Sequence, residues 1–324
     1  MKPWKFAAVI CAVAALACVM LAGCQTQTYQ PEPKEQAVSA SALKQDGTLI
    51  VGVNANSAPL AGRPEGSTAI IGIDPDVAAY LADSLGLKLE IVNIEDDPES
   101  ALSSGLCDIV LGVDGSATDV TYWRSSPYIV KGVALFGSEN ESAIPTPGDS
   151  SAPIAAQEGT WSEKRVIDLY GANALVRVDG LRTALENVST GTVRYAAGDI
   201  LAGSYLSDYP DYNINVKPLA LMQDPSGYCV AVAQSNTELW TAIEAALDSL
   251  VDGGMMDVIQ TKWLGAPIDV DGLSVLKTTV DTTAKPTEEA APQQGEGEAP
   301  AEGEGGGEGE APAEGEGGGE GEGY

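Results

Sequence analysis

Apolar positions along the middle of the chain change rhythm repeatedly, from short β-rich runs to the three-to-four spacing of helices. Thr48-Leu-Ile-Val-Gly-Val53 is a compact strand-like run behind the Asp46-Gly47 turn. Val77, Tyr80, Leu81 and Leu85 then share one helical face, with Asp74 as the expected N-cap, Pro75 at the first helical position and Gly86 as the stop. Leu87, Leu89 and Ile91 alternate with Lys88 and Glu90 as a second strand. A short helix over residues 98–104 leads into Asp108-Ile-Val-Leu-Gly112, which completes a βαβαβ series. The loop-like stretch Asn140-Glu-Ser-Ala-Ile-Pro-Thr-Pro-Gly148 separates this series from another. The second runs strand (154–156), helix (162–170), strand (174–178), helix through Leu181, Leu185 and Val188, and strand (193–197). Gly227-Tyr-Cys-Val-Ala-Val-Ala233 reads as a long strand, followed by helices over 237–250 and up to Trp263. The alternation predicts an α/β fold of two similar lobes, the first completed by the C-terminal strand and helices. Ligands of open α/β sheets sit beyond the carboxyl ends of the strands, so two such lobes facing each other predict a cleft between them.

The two ends of the chain follow different patterns. Lys2 and Lys5 precede sixteen apolar residues from Phe6 to Leu21, and the run ends at Leu21-Ala-Gly-Cys24. A basic start, an apolar stretch and small residues form an export signal, too short to span a bilayer comfortably. The final four residues resemble the lipobox of bacterial lipoproteins, which implies acylation (palmitate among the acyl groups) at Cys24 and anchoring at the extracytoplasmic face of the cell membrane. Residues 1–23 are thus expected to be a signal peptide and 24–44 a polar tether. Beyond 268 the chain becomes a Glu/Gly/Ala/Pro-rich tail, expected to be disordered over 269–324 because it has no side chains to build a core.

Charge and cysteine content narrow the chemistry. The net charge is −30, and residues 45–272 hold 32 acidic against 11 basic side chains with no basic stripe, so nucleic acid is excluded as a natural partner. The chain has no histidine, which removes the commonest general base and metal ligand, and neither a metal site nor a cofactor is expected. Cys107 and Cys229 are the two cysteines left in the folded region. In an exported chain they can pair, but each lies in an apolar run, where buried free thiols are expected.

Several motifs in fixed order then resemble the polar amino-acid family (family 3) of extracellular solute-binding proteins of ABC importers. They are Leu49-Ile-Val-Gly-Val53, Gly72-Ile-Asp-Pro-Asp-Val77 with Leu81 to Gly86, Ser104-Gly-Leu-Cys-Asp108, Ser126-Pro-Tyr128, Gln157-Glu-Gly-Thr160, Gly191 to Asp199, and Asn236 through Lys262-Trp263-Leu-Gly265. The resemblance covers residues 47–268 and implies a two-lobed periplasmic-binding-protein type II fold, each lobe a mixed sheet flanked by helices. It implies a first lobe of residues 45–135 plus 228–268 and a second of 136–227. A small polar solute such as an amino acid or amine, ABC permease subunits and a monomeric state follow from the same resemblance.

Recognition of an amino acid needs a carboxylate for the ammonium, and N–H groups or a cation for the carboxylate. Asp199, after a strand and before a helix, sits where the family binds the amine, although that position also suits an ordinary N-cap. Gly159, Thr160 and Trp161 lie at a strand-to-helix turn able to hold an anion. In the first lobe the loop Val113-Asp-Gly-Ser-Ala-Thr-Asp119 puts Thr118 or Asp119 where the family places a carboxylate-clamping arginine, and Leu60 replaces an expected aromatic. Asp114, Ser116 and Asp119 are the ligand candidates on this side. Arg63 or Arg124 can substitute as the cation, or the ligand lacks a free carboxylate or is cationic, or the cleft serves something other than solute capture. Tyr122, Trp123 and Trp161 are candidates to stack on a ligand. Closure is expected to bend the segments 133–138 and 226–230. Two rival classes are a dehydratase-like enzyme using Glu158 or Asp114 as acid, and a ligand-sensing module. The binding protein, not an enzyme, is the leading expectation.

Overall fold

The computed structural model describes residues 34–277. The export segment, the Cys24 lipidation site, the start of the tether and the tail beyond 277 lie outside the described residues. Among these, no helix is long and apolar enough to cross a membrane.

In chain order the strands are β1 (Thr48–Val53), β2 (Asn56–Ser57), β3 (Ala61–Gly62), β4 (Lys88–Asn93), β5 (Ile109–Asp114), β6 (Tyr122–Arg124), β7 (Ile129–Lys131) and β8 (Val133–Ser138). Then come β9 (Ile154–Gln157), β10 (Leu175–Val178), β11 (Tyr195–Asp199), β12 (Val216–Leu221), β13 (Ser226–Ala233) and β14 (Ser274–Val275). The α-helices are α1 (Ile73–Ser84), α2 (Pro98–Ser103), α3 (Trp161–Tyr170), α4 (Leu181–Ser189), α5 (Ile200–Asp208), α6 (Thr237–Asp252) and α7 (Met255–Leu264).

Two mixed sheets organise them. The first runs β4-β1-β5-β13-β6, with β7 also on β13; β1 pairs in parallel with β4 and β5, whereas β13 runs antiparallel to β5, β6 and β7. The second runs β10-β9-β11-β8-β12-β14, parallel over β10, β9 and β11 and antiparallel on both sides of β8. Leu49, Ile73, Leu81 and Ile109 are fully buried in the first lobe, and Phe136, Ile154, Leu185 and Leu221 in the second. The sequence therefore describes an α/β chain of two lobes, as built.

The chain passes between the sheets at Gly132, between β7 and β8, and at 222–225, between β12 and β13. The segments expected to bend, 133–138 and 226–230, are instead paired strands with their backbone groups committed to ladders. Their apolar residues bury on the sheets, which is why the crossings lie just outside them. The chain crosses a third time after α7: residues 265–273 leave the first lobe and β14 joins β12 at the edge of the second sheet. Leu276 is buried there and its N–H donates to the Leu221 carbonyl at 2.8 Å. Order thus continues past 268, because Val275 and Leu276 pack against the second lobe. Part of the expected tether also packs: Val38, Ala42 and Leu43 are buried, and Glu238 accepts bonds from the Ser39 N–H and hydroxyl. Cys107 and Cys229 are both buried free thiols.

Helix α1 begins two residues earlier than its sequence suggests, with Gly72 at the N-cap. Asp74 does not cap it. Its side chain turns inward, almost wholly buried, and accepts the Tyr128 hydroxyl proton at 2.6 Å, while the same hydroxyl accepts the Gly112 N–H at 2.9 Å. This triad ties α1 to the end of β5, the strand that delivers Asp114. Burial pushes the Asp74 carboxyl from the ordinary 3.8 up to about 7, against the opposing Tyr128 hydrogen bond. Between those values the folded chain keeps a proton that the unfolded chain has released, so stability falls as pH rises and levels off above about 7. From pH 5 to 7.5 this contribution costs on the order of 2–3 kcal/mol. Urea unfolding at both pH values is expected to show that drop, and Asp74→Asn to remove most of it; an unchanged slope in the variant would assign the dependence elsewhere.

Candidate functional site

A cavity of about 480 Å³ lies where the carboxyl ends of β9 and β11 meet the first crossing, bounded by Lys131, Gln157, Thr160, Trp161, Leu181, Asp199 and Gln223. Its walls come from strand ends and helix N-termini, as the doubly wound pattern requires.

Asp199 ends β11 and opens α5. One carboxylate oxygen accepts the Ala202 N–H at 2.8 Å, so the residue is an N-cap as well as part of the cavity wall. Burial raises its pKa in spite of the backbone N–H groups at the start of α5 and the nearby Lys131 charge. A desolvated carboxylate at the mouth of a cavity gains most from a cationic ligand group.

Thr160 caps α3 and donates its hydroxyl to the Gln157 carbonyl at 2.7 Å. Trp161 stands 56% exposed along the cavity, with its indole N–H on Gln223 at 2.6 Å, which leaves a ring face available for stacking. Gly159 is different. Its left-handed backbone (φ +75°) turns the chain, but its N–H donates to Glu163 at 2.6 Å, so an acidic side chain already occupies this part of the expected anion-binding turn.

On the other lobe Asp114, at the end of β5, pairs with Lys131 and accepts the Ser116 N–H and hydroxyl at 2.8 and 2.7 Å. Burial raises this carboxyl, but the Lys131 ammonium and the Ser116 donors outweigh it and hold it below the usual range. Asp119 is exposed with φ +58° and lies away from the cavity. Arg63 is exposed beyond β3 and also lies outside it. Arg124 turns inward, yet a single terminal nitrogen serves three carbonyls, those of Asp114, Gly115 and Ala117, at 3.2, 2.6 and 2.7 Å. That guanidinium shapes the β5–β6 loop. Tyr122 is core, and Trp123 stacks on Trp240 at 6.1 Å while donating to the Gln234 carbonyl. Leu60, where an aromatic was expected, is buried under α1 and gives its carbonyl to the Asp74 N–H.

Of the expected residues, Asp199, Thr160 and Trp161 therefore share the cavity wall. Asp114 and Ser116 reach it through Lys131. Gly159 is adjacent, whereas Asp119 and Arg63 are elsewhere. Lys131 is the residue that sequence reasoning missed: a lone lysine closing the apolar run Ile129-Val130, it forms the cavity's cationic wall and sits 5.6 Å from the Tyr228 ring centroid. Among the described residues there is no cluster of potential metal ligands.

Two mixed sheets joined by crossings, with a largely apolar cavity that carries Asp199 and Lys131 at the strand ends beside the first of them, define a two-lobed binding protein. The model of the bacterial extracellular solute-binding proteins, family 3, matches residues 49–266, and the chain belongs to that family. It is 23% identical over 231 residues to the L-cystine-binding protein TcyA of Bacillus subtilis, covering 70% of this chain and 85% of that one. With the L-cystine-binding protein TcyJ of Escherichia coli it shares 23% identity over 258 residues, 78% of this chain and 94% of that protein. Among solved structures, a polar amino acid ABC uptake transporter substrate-binding protein from Streptococcus thermophilus superposes with a TM-score of 0.62 at 19% identity, over 70% of this chain and 89% of the other. The L-cystine solute receptor of Neisseria gonorrhoeae, in its unliganded open conformation, gives 0.59 at 22% identity over 68% and 94%. The type II periplasmic-binding-protein fold with two lobes follows from these likenesses.

Proposed function

We propose that the protein is the lipid-anchored substrate-binding component of an ABC importer, and that it captures an amino acid, with L-cystine the first to test, by closing its lobes on the cavity. The observation that carries this reading is Asp199, a desolvated carboxylate at the cavity wall beside an exposed indole and hydrogen-bonding amides. Its relatives named for L-cystine binding support the choice of first ligand. A ligand shifts the lobes toward closure only through contacts made from both sides of the crossing. Asp199, Thr160 and Trp161 stand on one side, and Asp114 with Ser116, acting through Lys131, on the other.

An enzyme on the same fold finds no support in the site. Asp114, one nominated acid, is held ionised by Lys131 and Ser116, the opposite of what a general acid needs. Glu158 is exposed and donates its backbone N–H to Val178.

Thermal unfolding with L-cystine and the standard amino acids tests the reading. A ligand at a hundred times its Kd adds about 2.7 kcal/mol, which raises Tm by roughly 5–10 °C in a domain of this size. No shift with any of them would reject it.

A further inference from the structure

We infer that Lys131, the ion-pair partner of Asp114, is the cation that reads a ligand's carboxylate in this cleft. The inference rests on the reading of the cleft as an amino-acid site and names what that site demands of its ligand.

A carboxylate taken out of water needs a charged or multiply donating partner. The turn at Gly159 offers little, because Glu163 takes that N–H and places a negative charge beside it. Arg63 and Arg124 both lie outside the cavity, and one terminal nitrogen of Arg124 already serves three carbonyls. Lys131 remains, and it is part of the cavity wall together with Asp199.

Its surroundings hold it ready. An ammonium has three N–H bonds. Asp114 takes one, and no other hydrogen-bond acceptor meets the nitrogen among the described residues. The Tyr228 ring, 5.6 Å away, supports the positive charge from another side. Ser116 binds the second oxygen of Asp114 and fixes that carboxylate on the first lobe. Lys131 itself stands next to Gly132, at the crossing, so a ligand held by Lys131 and Asp199 touches both the hinge and the second lobe.

The chemistry differs from an arginine clamp. A lysine is a point charge without the planar fork that fits a carboxylate at two points. It therefore distinguishes ligands that carry a carboxylate from those that do not, and reads the orientation of the carboxylate less strictly. The ligand class is α-amino acids with a free carboxylate, not amines.

Paired ligands that differ only by the carboxylate test this: L-cystine against cystamine, and L-arginine against agmatine, by calorimetric titration. The native protein is expected to bind at least one amino acid 30-fold or more tightly than its amine. Lys131→Met should weaken the amino acid about 20-fold, leave the amine within about threefold, and so erase the discrimination, while Lys131→Arg restores most of it. Asp114→Asn, which releases the ammonium, should keep amino-acid binding within about fivefold. The inference is overturned if Lys131→Met still discriminates, if amine and amino acid bind the native protein equally, or if Asp114→Asn loses as much as Lys131→Met, since the pair would then be purely structural. If the native protein binds an amino acid but Lys131→Met is unaffected, the cleft keeps its proposed function and Lys131 loses its role. If no member of either pair binds, both readings fall together.

Discussion

Replacing Asp199 by Asn is expected to weaken amino-acid binding at least 100-fold and to leave the fold intact. Asn is as good an N-cap as Asp, so the bond to the Ala202 N–H survives and α5 still starts at the same place. What disappears is the negative charge. An ammonium desolvated against a neutral amide loses a charge-assisted hydrogen bond, and removing one partner of a buried ion pair costs about 3–5 kcal/mol. Asp199→Ala would confuse this effect with loss of the cap. Calorimetric titration, paired with a thermal melt in the absence of ligand, separates the two; an Asn variant that binds normally would show that Asp199 is only a cap. The direction of the Asp199 pKa adds a pH signature. Because burial raises it, affinity should begin to fall at a higher pH than it would for an ordinary aspartate as the solution is acidified, and the variant should lack that fall.

The largest expected loss of stability comes from Gly72→Ala. Gly72 has φ +145° at the N-cap of α1, and a Cβ built there would lie 2.2 Å from the Leu60 carbonyl oxygen and 2.8 Å from that of Pro59. Both obstacles are backbone, held by bonds from the Ile73 and Asp74 N–H groups to the same two carbonyls, so neither yields as a side-chain tip would. Strain and clash together should cost about 4 kcal/mol, or roughly 10 °C in Tm for a domain of this size. Gly66 provides the comparison: φ +73° but open space around a Cβ, with an expected cost for Ala of about 1 kcal/mol. Equal losses at the two positions would show that backbone conformation alone, without the close approach, sets the penalty.

The strands and helices read most surely from the sequence were those whose apolar rhythm is unbroken. β1, α2, α4 and β13 fall within a residue or two of the expected spans. β6, β12 and β14 were not predicted, because each is short or carries polar residues and Pro218 interrupts β12. Their pairing partners, not their own pattern, make them strands. Asp74 misled for a related reason. A polar residue before a helix reads as a cap, and only the distant Tyr128 reveals that it is buried. At the site, Asp199 was legible because a strand-to-helix junction is a local feature. Lys131 was not, since its role depends on Asp114, seventeen residues away, and on Asp199 in the other sheet. Arg124 shows the converse: a plausible cation in the sequence that lies outside the cavity, with one terminal nitrogen turned onto the carbonyls that follow β5.

The third passage between the sheets has a mechanical consequence. Two adjacent links permit rotation about the line that joins them. The third link starts from α7, which packs against α1 and α6 of the first lobe and against α5 of the second, and ends at β14 on β12. The span 265–273 contains no regular helix or strand, so in the proposed closure a relative rotation of the lobes is taken up by this span and by the contact of α7 with α5. For that proposed motion the chain's own connectivity supplies a tie between the lobes in addition to the two central crossings.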